Sequence, residues 1–245
     1  MNKNRLWTRE EEIIVFDLYC KIPFNKSSKT HPKIIEIANI IKRTPSAVNM
    51  KIGNFGRFDP VLKNKNISGL TNGSKLDEEI WNEFNNNWSE LSYQSELLKK
   101  NFINDNKNNE TFKLQGKIPK GKEKLVLSKA RINQNFYREA ILASYNNHCC
   151  ITGLATPQLL IASHIKPWNK STDDEKTNPR NGLCLNALHD KAFDKGFITI
   201  DTNFKIHVSD NIRDIYDGNI VEKYFNCYEN KEIILPEKFL PDKVF

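Results

Sequence analysis

Ala162-Ser163-His164-Ile165-Lys166-Pro167-Trp168, then Asn181-Gly182-Leu183-Cys184-Leu185, then His189-Asp190-Lys191-Ala192-Phe193-Asp194, decide how the C-terminal half of this chain folds. The first block reads as a strand that a histidine leaves, and the third as a helix that a His-Asp pair opens, with Asn181 between them. Working outward, Asn133 to Tyr145 reads as an amphipathic helix with Phe136, Ala140, Ile141 and Leu142 inward. Downstream, Phe197-Ile198-Thr199-Ile200-Asp201 alternates as a strand, and Lys205 to Ser209 is expected to pair with it, with His207 structural.

The chain has 245 residues, 38% of them hydrophobic, enough for two small cores. A net charge of +7 and a pI near 9.0 favour a polyanionic partner. No apolar run reaches signal or membrane length, so the expectation is a cytoplasmic protein without a membrane partner. Five cysteines, Cys20, Cys149, Cys150, Cys184 and Cys227, form no secreted disulfide framework, and reduced thiols are expected.

The N-terminal half reads as helical. Thr8 is placed to cap a first helix, with Glu11 reaching back as in a capping box, and Pro23 ends it. A second helix is expected near Pro32. Thr44 followed by Pro45 is a start signal for a third. Three short helices with a tight turn before the last make a helix-turn-helix-like unit. Its last helix can enter a major groove, with Ser46, Asn49, Lys51 and Asn54 toward bases or phosphates. A plain helical packing module is the alternative. Leu76 to Phe84 predicts a further helix, and more helix is expected to about Lys100. The run from Asn104 to Glu110 has too little apolar content to offset ordering entropy and reads as linker. The basic stretch beyond it, with Lys113, Lys117, Lys120, Lys122 and Lys124, is either an arm that tracks phosphates or an inert tether. The expected division is a helical domain at 1–103, DNA-reading if its last helix enters a groove, a basic flexible linker at 104–124 and a domain carrying the three blocks at 125–245.

From Arg131 to Asp201 the three blocks resemble the HNH endonucleases, which fold two strands and a helix around one divalent metal. The resemblance implies an α+β chain with a C-terminal ββα-metal nuclease domain. In it His164 is the general base, its ring fixed by a carbonyl on the other nitrogen, and Asn181 ties loop to strand and orients His164. The third position is shared by His189 and Asp190. Asp190 is a hard oxygen ligand suited to Mg2+ or Mn2+, whereas His189 suits a softer metal or a contact to the scissile phosphate. Ser163 stands where the family often carries an aspartate or histidine metal ligand. Asp194 either joins the metal or caps the following turn. Lys166 and Arg180 flank the site as phosphate contacts or as solvated charges, and Trp168 reads as a packing anchor. Cys149-Cys150-Ile151-Thr152-Gly153 lacks the second cysteine of a zinc knuckle, so no structural zinc is expected.

The N-terminal half resembles the Myb/SANT-like or winged-helix modules found ahead of nuclease domains in bacterial restriction enzymes. Together the resemblances imply an enzyme that cuts double-stranded DNA in restriction of foreign DNA, with dependence on cytosine modification left open. One such site cuts one strand, so a homodimer is expected. The alternative is a non-catalytic DNA-binding regulator with a degenerate HNH domain, motivated by Ser163 and the missing cysteine pairs; a homing nuclease ranks below both.

Overall fold

Thr8 opens the first helix through the expected capping box: its hydroxyl accepts from Glu11 N, and Glu11 Oε2 accepts from Thr8 N at 3.0 Å. The computed structural model describes residues 5–66, 73–108, 122–213 and 219–245. The helical half comprises α1 (Arg9–Lys21), α2 (Pro32–Ile40), α3 (Pro45–Gly56), α4 (Pro60–Asn64), α5 (Lys75–Phe84), α6 (Trp88–Asn108) and α7 (Lys122–Ser144). Pro32 and Pro45 take the first helical position of α2 and α3, where a missing N–H costs nothing. Their caps are His31 and Thr44, both bonded to a first-turn N–H.

These helices bury an aromatic core of Phe16, Tyr19, Phe55, Trp81 and Trp88, with Phe16 and Phe55 stacked at 4.8 Å. Fully burying one such side chain contributes roughly 1.5–3 kcal/mol. The same core corrects the reading of Lys51. It is only 3% exposed, and its ammonium pairs with Glu12 at 2.8 Å and with Asp77, so it reaches no DNA. Lys51 shares the inward stripe of Val48, Ile52 and Phe55, and the buried Asp77 carboxylate on α5 neutralises it, with the Glu12 carboxyl of α1 beside the pair. A second correction concerns the expected linker, since α6 runs on through Asn104 to Asn108. Leu98 and Phe102 pack against the aromatic core and hold its last turns in place. The basic arm at 109–121, with Lys113, Lys117 and Lys120, lies outside the described residues, as do the side chains of Lys122 and Lys124.

α7 begins earlier than its apolar pattern indicated and joins the two halves. Phe136 and Ala140 enter the aromatic core, whereas Tyr137 and Ile141 turn about 100° away into a second core. That second core lies under β1 (Leu160–His164) and β2 (Gly182–Asn186), separated by α8 (Asp173–Thr177) and followed by α9 (Ala187–Asp194). The two strands are antiparallel, with His164 opposite Gly182 and Ser163 opposite Leu183. The expected second hairpin is β3 (Ile198–Ile200) with β4 (Ile206–Val208), and α10 (Asp210–Arg213) and α11 (Ile220–Tyr224) follow. His207 pairs with Asp201 at 3.1 Å. The chain is thus of mixed helix and sheet, α+β. Its last residues return to the helical half: Lys238 donates to the carbonyls of Tyr19, Cys20 and Ile22 at the end of α1, and Phe239 enters the aromatic core. Among the described residues no helix is long and apolar enough to cross a membrane.

Candidate active site

β1 ends at His164 because Ile165-Lys166-Pro167 turns the chain away, and the imidazole lies flat against Tyr137 of α7, with ring centroids 4.0 Å apart. His164 Nε2 is 3.0 Å from the Lys176 carbonyl. A carbonyl only accepts, so Nε2 carries the hydrogen and Nδ1 keeps the lone pair. Burial lowers the pKa of His164 below the ordinary histidine value, against the Lys176 bond that raises it. The ring is therefore neutral near pH 7, as a base must be.

Asn181 is fully buried at the entry to β2. Its Oδ1 accepts from Lys166 N at 2.8 Å and its Nδ2 donates to Glu175 O at 3.1 Å. One side chain thus staples both arms of the loop that carries Lys176. Tyr137 reinforces it, its hydroxyl lying within hydrogen-bond distance of the carbonyls of Ser163 (3.1 Å) and Asn181 (2.9 Å). Gly182 makes this approach possible, since a Cβ there would lie 2.4 Å from the Tyr137 hydroxyl oxygen.

On the opposite face of the hairpin, α9 brings Asp190 to Ser163. Asp190 is half-buried, and its carboxyl is raised above the usual range by burial and by the charge of Asp194, while the Ser163 hydroxyl and Lys191 act to lower it. Ser163 is 3% exposed, and among the described residues its Oγ closes no hydrogen bond of normal geometry. A buried hydroxyl without a partner costs free energy, and here it stands beside a carboxylate. A carboxylate is a good ligand for a hard cation and a serine hydroxyl a weak one, so the pair would offer an ion two oxygen donors of unequal strength. Among the described residues no group of three or more His, Cys, Asp or Glu is gathered to hold an ion.

His189 is elsewhere, which corrects its reading as catalytic residue and metal ligand. It is 1% exposed, with Nδ1 2.9 Å from Asn186 Nδ2 and Nε2 2.8 Å from the Tyr224 carbonyl, and its ring packs edge-on to Phe225 and Tyr228. Burial favours the neutral Cys149 thiol, but hydrogen bonds from His189, Thr152 and nearby backbone outweigh it and bring the pKa down to about 7. His189 therefore seals the back of α9. Arg180 is partly exposed, and its guanidinium donates to Asn86 Oδ1 at 2.7 Å and Asn85 Oδ1 at 3.2 Å, which ties the entry of β2 to the helical half. Lys166 stays near the surface, paired with both oxygens of Glu175.

In the helical half, Ser46 is exposed on α3, Asn49 accepts from Ser27 Oγ at 2.6 Å, and Asn54 donates to Asp77 at 3.0 Å. Tyr137 was missed by sequence reasoning. The available signal was its spacing with Ile141 and Tyr145, a second inward stripe on α7.

Comparison with protein families places a match on this site. Residues 149–201 match the HNH endonuclease family. The matched segment runs from the buried cysteines through β1, β2 and α9 to the end of β3. It supports nuclease activity, with DNA as the substrate such a domain implies. A comparison with curated proteins returned no match.

Proposed function

We propose that this protein is a metal-dependent DNA endonuclease whose general base is His164. The observation that carries the proposal is the His164 Nε2 to Lys176 carbonyl contact, which leaves Nδ1 free to take the proton of an attacking water. Tyr137 and Asn181 keep that nitrogen oriented, the first by stacking and the second by stapling the Lys176 loop. Ser163 and Asp190 would hold the ion, with Asp194 as a neighbouring charge; when bound it supplies positive charge to the phosphate and its leaving oxygen.

The wider reading is restriction of foreign DNA by a homodimer, because one base and one ion cut one strand and two copies are needed for a double-strand break. The helical half would supply double-strand contacts from the Ser46 face of α3, and the net charge of +7 supports a DNA partner. Dependence on modified cytosine belongs to the same reading. The test is incubation with methylated and unmethylated plasmid in magnesium, manganese or chelator, beside His164→Ala. Metal-dependent cutting lost in the variant is the expected result, and modification dependence would show as a difference between the two plasmids. Plasmid bound yet uncut under every condition would replace the enzyme with a DNA-binding role.

A further inference from the structure

A groove of about 470 Å³ opens beside His164, between the first turn of α6, the body of α7 and α8. Small-ligand pockets span roughly 300–1,000 Å³, so it has room for one heterocycle and its sugar. It shares its wall with the supports of the base. Trp168 stands edge-on to His164 at 5.4 Å, and Lys176, whose carbonyl fixes His164, sets its ammonium 5.3 Å from the Trp168 ring. Trp168 is 43% exposed, more than a packing anchor requires.

The charges in the groove narrow the ligand. Lys129 pairs with Glu90 at 3.6 Å and Lys176 with Asp173 at 3.0 Å, which leaves the exposed Asp174 carboxylate and Asn87 amide without a side-chain partner among the described residues. The unbalanced charge is negative and repels phosphate. An exposed indole offers a stacking surface, a carboxylate accepts N–H, and an amide both donates and accepts. A neutral planar ring with an exocyclic amino group satisfies all three.

We propose that this groove binds a single nucleobase bearing an exocyclic amino group, swung out of its strand, stacked on Trp168 and read at its edge by Asp174 and Asn87. The proposal rests on the nuclease reading for DNA as the source of the base. It places a specificity element within one ring's width of the general base, so that recognition and orientation of His164 share Trp168 and Lys176.

The test uses the full chain in chelator, so that no cutting is required. Eight-nucleotide homopolymers of deoxycytidine, deoxyadenosine and thymidine are titrated against wild type, Trp168→Ala, Asp174→Asn and Asn87→Ala, read by fluorescence anisotropy. The cytosine and adenine strands are expected to bind at least about five-fold tighter than thymine, and Trp168→Ala to weaken them roughly ten-fold. Asp174→Asn and Asn87→Ala are expected to narrow the preference, and both lie off the His164 contacts should Trp168→Ala fail to fold. Equal binding of the three strands, or binding unchanged in all three variants, overturns the proposal. Plasmid cutting in magnesium, run beside it, separates the two readings. Cutting without base preference removes the groove and leaves the nuclease, whereas base preference without cutting supports the groove and removes the nuclease.

Discussion

His164 shows how one backbone acceptor, the Lys176 carbonyl at 3.0 Å, selects a tautomer and so decides which nitrogen is left to accept a proton. Ser163 is its counterpart on the other hairpin face, a neutral donor where a charged one would bind a cation more tightly. Ser163→Asp would set two carboxylates side by side. In chelator it is expected to cost about 1–3 kcal/mol through like-charge repulsion, and manganese should recover that loss and stabilise the variant at lower concentration than wild type. Thermal melts across a manganese titration read both effects; identical midpoints would remove Ser163 from the ligand set. Glu12 provides a pH test away from the site. Burial raises its pKa from 4.5 to about 7, against the lowering pull of Lys51, and its Oε2 has no hydrogen-bond partner among the described residues. A folded pKa above the unfolded one means the proton favours the folded state. The contribution is full below pH 4.5 and is lost as pH rises through about 7. The loss is on the order of 3 kcal/mol. Urea melts at pH 5 and pH 8 should show a larger fall in wild type than in Glu12→Gln, and equal falls would contradict the assignment.

At the scale of elements, the turn between α5 and α6 grips the loop that enters β2. Arg180 donates its fork to Asn85 and Asn86, and the next residue, Asn181, staples the Lys176 loop. Arg180→Lys keeps the charge but loses the planar fork. Turnover is expected to fall about ten-fold or more while KM changes little, because a small misplacement of the loop displaces the base. Single-turnover cutting separates the two parameters, and a raised KM with unchanged turnover would instead make Arg180 a DNA contact. This element also marks what could be read in advance. Capping signals such as Thr8 with Glu11 and Thr44 with Pro45 are local, so they were legible residue by residue. That a strand ends at His164 and that a helix carries His189 and Asp190 was legible from pattern and spacing. The burial of Lys51 and His189 was not, because charge and polarity suggest exposure, and their partners Glu12 and the Tyr224 carbonyl lie far away in sequence. Tyr137 was hidden for the same reason: its role depends on where α7 crosses the hairpin. The helical end of α6 was missed because asparagine-rich composition outweighed the anchoring of Leu98 and Phe102.

Over the whole molecule, α7 and the C-terminal segment tie the two halves into one unit. Adjacent residues of α7 serve different cores, Phe136 the aromatic one and Tyr137 the one under the hairpin. From the far end of the chain, Glu237 accepts from the Phe24 and Asn25 amides, and Lys238 satisfies carbonyls that α1 leaves open at its C-terminus. Neither half can then lose its packing without exposing apolar surface of the other, so calorimetry is expected to show one transition with matching calorimetric and van't Hoff enthalpies. Lys238→Met preserves the buried stem but removes the donor from the carbonyls of Tyr19, Cys20 and Ile22. Its expected cost is about 3 kcal/mol, the scale of leaving buried polar groups unpaired. The loss should appear as a lower melting temperature for the single transition, including the signal from Tyr137 and Tyr145 in the other half. Two separate transitions in the wild-type protein would show instead that the helical half and the hairpin half unfold independently, and that α7 joins them without coupling them.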